Sequence, residues 1–255
     1  MKLELFAIEN FPEVDFQSSL SDLILNSARE NKWEWDNGDI VVIAQKVISK
    51  AENRLVDLTS VIPGERAFRY AKATNKDPRL VELILSESKK VLRTRGGLII
   101  VQHKLGFICA NAGIDHSNVR GLDGSSENWV LLLPEDPDMS AKKIRKSIET
   151  TSGKRIGVII IDSHGRPWRN GIVGVSIGIS GVPGVIDKRG ALDRFGYQLR
   201  VTEIGAADEI AAAASILMGQ ANEGRPIVVV RGFPYDLREG SLDELIRDEK
   251  DDLFR

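Results

Sequence analysis

Cysteine is almost missing from this sequence, which has only Cys109 among its 255 residues. One thiol cannot close an intrachain disulfide or give two thiolates to a zinc site, so we expect a reducing, cytoplasmic compartment. Long hydrophobic runs are also missing, since aliphatic stretches such as residues 158–161 are far shorter than the ~20 residues that cross a bilayer. The N-terminal residues 1–9 alternate and carry two acids, unlike a signal peptide. We therefore expect no membrane association.

Neither sign of charge is in clear excess. Lysine and arginine number 35 against 37 aspartate and glutamate residues, and the formal net charge is -2. This balance argues against a wide basic surface, so we expect no nucleic-acid partner and only a local site for anions. Hydrophobic residues at 42% and charged residues at 28% are typical of a globular chain with a sizeable core.

Several familiar catalytic motifs are absent too. The chain has neither the G-x-x-x-x-G-K-[ST] loop nor the G-x-G-x-x-G turn that hold phosphates with backbone amides. H-E-x-x-H and G-x-S-x-G are missing as well. The histidines, His103, His116 and His164, are far apart in sequence, and no local pattern predicts that they share a metal ion.

Hydrophobic patterning predicts both strands and helices. Alternating or aliphatic segments predict strands at 2–8, 39–45, 97–102, 106–110, 128–133, 155–161, 172–180 and 226–231. Helical periodicity appears at 19–30, 63–73, 77–88, 140–150 and 206–218. The order is not a regular alternation, and glycine-rich, hairpin-like stretches lie between 165 and 200. The pattern therefore favours an α+β fold with mixed or antiparallel sheets over a doubly wound sheet.

A turn at residues 134–140 leads into one of these helices. Asp138 or Ser140 can accept hydrogen bonds from the free N–H groups at its start, and Gly153 can end it.

The first segment with candidate chemistry spans residues 41–52. A strand leads directly into Gln45, Lys46 and Lys50, and a lysine at a strand end can bind a phosphate as a point charge. The alternative is a surface lysine whose aliphatic stem covers apolar neighbours.

The second segment spans residues 106–118. A hydrophobic strand is followed by Asn111, Asp115 and Asn118, on a loop where Gly113 permits unusual dihedral angles. Carboxylate oxygens together with water and phosphates suit hard cations such as Mg²⁺. The alternative is that Asp115 caps a turn and Asn118 bonds to the backbone.

The third segment, residues 159–169, is the richest. Asp162 and Ser163 end a buried strand and can donate oxygens to one or two metal ions. Arg166 or Arg169 can form paired hydrogen bonds with a carboxylate or phosphate. Trp168 can stack on a planar ring, or it can serve as an ordinary core or lid residue.

The fourth segment is an alanine-rich helix followed by a turn. The helix ends at Gly219, and residues 220–224 lead into the strand at 226–231. The turn can wrap its backbone around a nucleotide, with Gln220 near a metal ion. The alternative is an ordinary connection between a helix and a strand.

Taken in order, these segments resemble the coenzyme F-420-0:L-glutamate ligase (F-420 gamma-glutamyl ligase) family. The resemblance rests on five stretches in register, which are V-V-I-A-Q-K-V-I-S-K-A-E, G-F-I-C-A-N-A-G-I-D-H-S-N, L-L-P-E-D-P-D-M-S-A, I-D-S-H-G-R-P-W-R-N-G and D-E-I-A-A-A-A-S-I-L-M-G-Q-A-N-E-G-R-P. It extends from about residue 3 to residue 232. Many members have threonine at the position of Ser163, which keeps the hydroxyl group.

The resemblance implies a ligase that uses GTP and a divalent metal to add L-glutamate to a deazaflavin precursor through an acyl phosphate. It implies Mn²⁺ or Mg²⁺ at two sites and GTP as a cosubstrate, with K⁺ as a further candidate cofactor. The implied architecture is an intertwined homodimer of two-domain chains. Residues 1–80 plus 200–255 would form the nucleotide-binding half, and residues 81–199 an inserted half for metal and substrate.

The resemblance also implies roles for individual residues. One metal would be held by Asp115 and Asp162, and a second by Ser163 and Gln220. The predicted catalytic set is Asp115, Asp162, Arg166 and Arg169. The predicted nucleotide-binding residues are Phe11, Pro12, Glu13, Val14, Gln45, Lys46, Lys50, Asn118, Met218, Gly219, Gln220, Ala221, Asn222, Glu223, Gly224 and Arg225.

Three other functions fit the same residues. A ligase of the same chemistry could use another carboxylate acceptor, and a metal-dependent phosphohydrolase could use the carboxylates to activate water. A nucleotide-sensing or cofactor-carrying domain would bind without turnover. Release of phosphate without glutamate would indicate the hydrolase, and tight binding with no turnover would indicate the sensor.

Overall fold

The structure is a computed structural model that describes residues 1–253, and its α+β class confirms the sequence-based prediction. The helices are α1 (Leu20–Glu30), α2 (Gln45–Ala51), α3 (Glu65–Thr74), α4 (Pro78–Ser86), α5 (Pro137–Ser152) and α6 (Ala206–Met218). The strands are β1 (Glu4–Ala7), β2 (Ile40–Ala44), β3 (Leu55–Asp57), β4 (Ser88–Arg95), β5 (Leu98–His103), β6 (Ile108–Ala110), β7 (Trp129–Leu131), β8 (Gly157–Arg166), β9 (Arg169–Ser180), β10 (Ile186–Asp187), β11 (Glu203–Ile204) and β12 (Ile227–Arg231).

A five-stranded sheet forms the centre of the molecule, in the order β1-β12-β2-β8-β9. Only β2 and β8 run parallel, and the other neighbours are antiparallel. Strands β2 and β12 read as continuous runs of valine and isoleucine because helices cover both faces of the sheet at this point.

The two faces of this sheet bury separate cores. Val41 and Ile43 of β2 face one core, to which α1 and α5 contribute. Ile40 and Val42 face the opposite core, which the small side chains of α6 close. Successive side chains of a strand point to opposite faces, so one short strand supplies both cores.

A smaller core lies beside the central sheet. Strands β4, β5 and β6 form a three-stranded antiparallel sheet, and α3 and α4 pack on it through residues such as Ala67, Val81 and Ile84. Strands β3 and β7 pair separately, as do β10 and β11. The central sheet takes strands from residues 1–80 and 200–255 and from residues 81–199. The proposed division of the chain into two halves stays a prediction.

Several local features differ from the sequence-based expectations. Residues 45–51 form helix α2, which begins directly after the last residue of β2. Residues 88–95 form an edge strand that the patterning missed, since charged side chains on its exposed positions hide the alternation. The cap of α5 is Asp136, whose carboxylate accepts the Met139 N–H.

Asp138, expected at that cap, instead accepts the N–H groups of Ile179 and Leu242. It therefore ties α5 to β9 and to the C-terminal segment. Gly153 ends α5 in the left-handed conformation, as predicted. Within residues 1–253, no helix has both the length and the apolar character needed to cross a membrane.

Candidate functional site

A cleft of about 1190 Å³ opens at one end of the central sheet. Five segments that are distant in sequence line it: residues 11–16, 44–55, 116–126, 161–163 and 215–226, together with Gly174. Every predicted nucleotide-binding residue is in this lining, as are Asp162, Ser163 and Gln220. The fold therefore brings most of the predicted site residues to one opening.

The parallel pairing of β2 with β8 explains part of this convergence. Ala44, the last residue of β2, is paired with Ile161, so Gln45 and Asp162 both come directly after the last parallel pair, although β8 itself continues to Arg166. Parallel strands end at the same edge of a sheet, and side chains just beyond that edge are brought together. Gln45 and Lys46 form the first turn of α2 and therefore project from this edge.

Asp115 comes from a different part of the chain, and its side chain contacts Gln45 at this edge of the sheet. Its backbone exchanges two hydrogen bonds with Leu131, both of 2.9 Å, which fixes it beside β7. One carboxylate oxygen accepts the Gln45 amide at 2.5 Å, and the other lies 2.6 Å from the Lys46 ammonium. Burial raises the pKa of Asp115, Lys46 opposes that shift, and the charge of Asp162 adds to it.

Asp162 is held by its own strand. Its Oδ1 accepts the Ser163 N–H at 2.8 Å, and its Oδ2 lies 3.1 Å from Nε2 of His164. The His164 ring packs against Phe107 with 5.3 Å between the ring centroids, and Phe107 stacks on His103. Burial lowers the pKa of His103 to about 4, so that ring is neutral near pH 7.

Three cations of the cleft are paired with carboxylates. Besides the contact between Lys46 and Asp115, the Lys50 ammonium lies 3.3 Å from Glu13, and the Arg225 guanidinium lies 2.8 Å from Glu9. These two outer pairs are exposed enough for solvent to screen them, so a polyanion can replace the carboxylates at modest cost.

The turn after α6 has a backbone that favours glycine. Gly219 has φ 73° and ψ -175°, a region almost restricted to glycine, and an added Cβ would lie 2.1 Å from Cδ of Glu223. The Glu223 carboxylate accepts the Ala221 N–H, and the Asn118 amide donates to the Ala221 carbonyl at 2.9 Å. The loop from 116 to 126 is thus joined to the turn.

Ser163 and Gln220, the predicted ligands of a second metal, are exposed side chains in the cleft lining. Arg166 and Arg169 are not in the lining and instead face each other across the turn between β8 and β9. The Arg166 guanidinium donates to the Asn170 carbonyl at 3.0 Å. The catalytic roles predicted for these arginines stay predictions.

The donor set suits a hard divalent cation. Among residues 1–253, no three His, Cys, Asp or Glu side chains form a metal-binding group. Two carboxylates, from Asp115 and Asp162, are close enough for the charge of one to raise the pKa of the other. A cation between them would relieve that repulsion, and the Ser163 hydroxyl and Gln220 amide add oxygen donors of the type that Mg²⁺ and Mn²⁺ accept.

Sequence reasoning missed His164. The three histidines are far apart in sequence, so no local pattern predicts that they share a metal ion. The useful signal is that His164 follows Asp162 by two positions on one strand. Side chains two apart on a strand share a face, so this spacing predicts that the imidazole and the carboxylate lie on the same side of the strand. The cleft-lining residues 119–126 were also missed, and no local pattern distinguishes them from an ordinary loop.

The α+β fold and this lysine-bearing, oxygen-rich cleft define a protein suited to an anionic ligand and a hard cation. The sequence profile of F420-0:gamma-glutamyl ligase matches residues 9–232. The chain belongs to this family.

Individual relatives match over nearly the whole chain. The coenzyme F420:L-glutamate ligase of Methanocaldococcus jannaschii is 43% identical to this chain over 239 residues, and the alignment covers 94% of this chain and 91% of the relative. The coenzyme F420:L-glutamate ligase of Methanothermobacter thermautotrophicus is 40% identical, and the alignment covers 100% of both chains. The coenzyme F420:L-glutamate ligase of Archaeoglobus fulgidus is 42% identical, and the alignment covers 100% of this chain and 97% of the relative.

Proposed function

We propose that this protein is a coenzyme F420:L-glutamate ligase that uses GTP and a divalent metal ion to join L-glutamate to a deazaflavin precursor. The observation that carries the proposal is the convergence, around one cleft, of five segments that are distant in sequence. The family relationship, which extends over nearly the whole chain, supports a ligase reaction with L-glutamate.

Nucleotide binding is assigned to the outer part of the cleft. Lys46 and Lys50 project from α2 into the opening and can each exchange a carboxylate partner for a phosphate oxygen. The turn at 218–225 provides backbone N–H groups, and its conformation depends on Gly219. The bond from Asn118 to Ala221 holds the turn against the neighbouring loop. The backbone and the two lysines together suit a triphosphate.

Metal binding is assigned to Asp115 and Asp162 for one ion, and to Ser163 and Gln220 for a second, with Mn²⁺ or Mg²⁺ as the ions and K⁺ as a further candidate cofactor. A divalent cation held by these residues would neutralise charge on a phosphoryl group during its transfer. In the present structure Lys46 contacts Asp115. The positive charge of Lys46 would therefore oppose loading of the site, and a nucleotide phosphate would offer this lysine an alternative anion.

The proposed chemistry has two steps. A carboxylate oxygen of the acceptor attacks the γ-phosphorus of GTP, and GDP leaves with the electrons of the broken P–O bond. The amine of L-glutamate then attacks the acyl carbon, the bond from this carbon to the phosphate oxygen breaks, and inorganic phosphate leaves and can accept the proton that the nitrogen loses as the amide forms. The protein would align the reacting groups in the cleft.

The direct test incubates the protein with the deazaflavin precursor, L-glutamate, GTP and Mn²⁺ or Mg²⁺, followed by mass spectrometry of the products. We expect a glutamylated product and equimolar GDP. Asp115→Ala should slow turnover by about 10³-fold or more, since it removes a ligand that neutralises transition-state charge. Phosphate release that needs no glutamate would instead indicate a phosphohydrolase, and product only from a different carboxylate would indicate a ligase with another acceptor.

We also propose that the protein is a homodimer that uses the segment between β10 and β11. Apolar side chains on this segment are strongly exposed, namely Leu192, Phe195, Tyr197 and Val201. Exposed apolar side chains grouped in this way are typical of a surface that another chain covers. Analytical ultracentrifugation should give twice the mass of one chain, and Phe195→Glu should reduce it to one. Ile62→Glu, a change at an equally exposed apolar residue elsewhere, should leave the dimer intact.

A further inference from the structure

Asp162 has one partner that belongs to neither of the predicted metal-ligand pairs. Nε2 of His164 lies 3.1 Å from Oδ2 of Asp162, and both side chains are largely buried, at 15% and 12% exposed. Both residues lie on β8, two positions apart, so they share one face of the strand. A carboxylate has about four lone-pair positions. The Ser163 N–H and the imidazole occupy one on each oxygen, which leaves two for a cation.

The imidazole of His164 is packed against other rings. Phe107 packs against it at 5.3 Å with the ring planes tilted by 52°, and Phe107 stacks nearly parallel on His103. His103 is 2% exposed, and its Nδ1 accepts the Leu105 N–H at 3.0 Å. This row of three rings comes from β5, the segment before β6, and β8. It limits rotation of the His164 ring.

We propose that His164 is a positioning residue: its Nε2–H donates to Oδ2 of Asp162 and orients the free lone pairs of the carboxylate toward the cleft. The inference rests on the proposed function, in which Asp162 holds a divalent cation. Groups that hydrogen-bond to a metal ligand fix its orientation, and their loss costs about 10- to 100-fold in metal affinity.

Two substitutions separate the hydrogen bond from the ring packing. His164→Phe keeps a ring against Phe107 but removes the donor. His164→Gln loses the ring but can place an amide N–H near the position of Nε2. With a non-hydrolysable GTP analogue bound, Mn²⁺ affinity measured by electron paramagnetic resonance should fall about 10- to 100-fold in His164→Phe. It should return to within a few-fold of wild type in His164→Gln.

Turnover provides a second readout. In His164→Phe, the lost kcat should recover as Mn²⁺ is raised, because the ligand is misoriented but still present. In Asp162→Asn it should not recover. A His164→Phe protein that binds Mn²⁺ like wild type would overturn the inference, as would a His164→Gln protein that loses as much affinity as His164→Phe.

A measurement on the unsubstituted protein keeps the inference testable if a variant fails to fold. With ¹⁵N-labelled histidine, the His164 resonances should show the proton on Nε2 and should shift when diamagnetic Mg²⁺ is added with the analogue. A proton on Nδ1 alone would overturn the inference.

If Asp162→Asn binds Mn²⁺ as well as wild type, the proposed role of Asp162 itself is overturned. Loss of binding in Asp162→Asn with normal binding in His164→Phe would overturn only the role of His164.

Discussion

The contact between Lys46 and Asp115 predicts that removing a positive charge changes metal binding in a specific direction. The Lys46 ammonium lies 2.6 Å from one Asp115 oxygen, and the Gln45 amide bonds to the other. A cation that binds Asp115 must therefore compete with the lysine. In Lys46→Met the competitor is gone, and the carboxylate remains partly buried near Asp162. We expect the variant to bind Mn²⁺ more tightly than wild type when no nucleotide is present.

The size of the effect follows from the geometry. A hydrogen bond to a charged group contributes about 1.5 to 3 kcal/mol. The two side chains are 28% and 24% exposed, so solvent screens part of their attraction and the lower end of that range applies. About 1.5 kcal/mol corresponds to roughly a tenfold lower Kd for Mn²⁺.

The assay is a titration of nucleotide-free protein with Mn²⁺, in which the free ion is measured by electron paramagnetic resonance. Lys50→Met is the matched control, because it removes the same charge from the same helix but its ammonium pairs with Glu13 at 3.3 Å. Its Mn²⁺ affinity should change by no more than about twofold, the size of a screened long-range effect. Equal Kd values in Lys46→Met and wild type would refute the competition, as would equal gains in the two variants.

Three further predictions concern other parts of the structure. Lys50→Ala should weaken GTP binding with little change in kcat at saturating GTP, and a loss confined to kcat would contradict its role. Gly219→Ala should lower the free energy of unfolding by about 1 to 3 kcal/mol and weaken GTP binding, because φ is positive and the new Cβ meets Glu223. Burial raises the pKa of Asp208 above 3.8. The wild-type protein should therefore lose stability relative to Asp208→Asn as the pH rises through that pKa, and parallel denaturation profiles from pH 3 to 7 would contradict this.

Patterning gave most element positions correctly because the signal is local. The helix predicted at 206–218 has those same bounds, since its small and apolar residues follow the helical period without interruption. Helix α2 was missed because seven residues are too few to show periodicity after a strand. Strand β4 was missed because its lysines and arginines occupy the exposed positions of an edge strand.

For the site, the sequence provided the residue types and the tertiary structure provided their partners. The composition and the sequence motifs identified Asp115, Asp162 and Lys46 as polar residues beside buried strands and indicated a family. No local pattern states that Lys46 contacts Asp115 or that Phe107 packs against His164. The first contact depends on the bridge between Asp115 and Leu131, and the second on the packing of the segment before β6 against β8; both join residues more than 15 positions apart. Local sequence determines backbone preference, whereas the packing of distant segments determines which side chains meet.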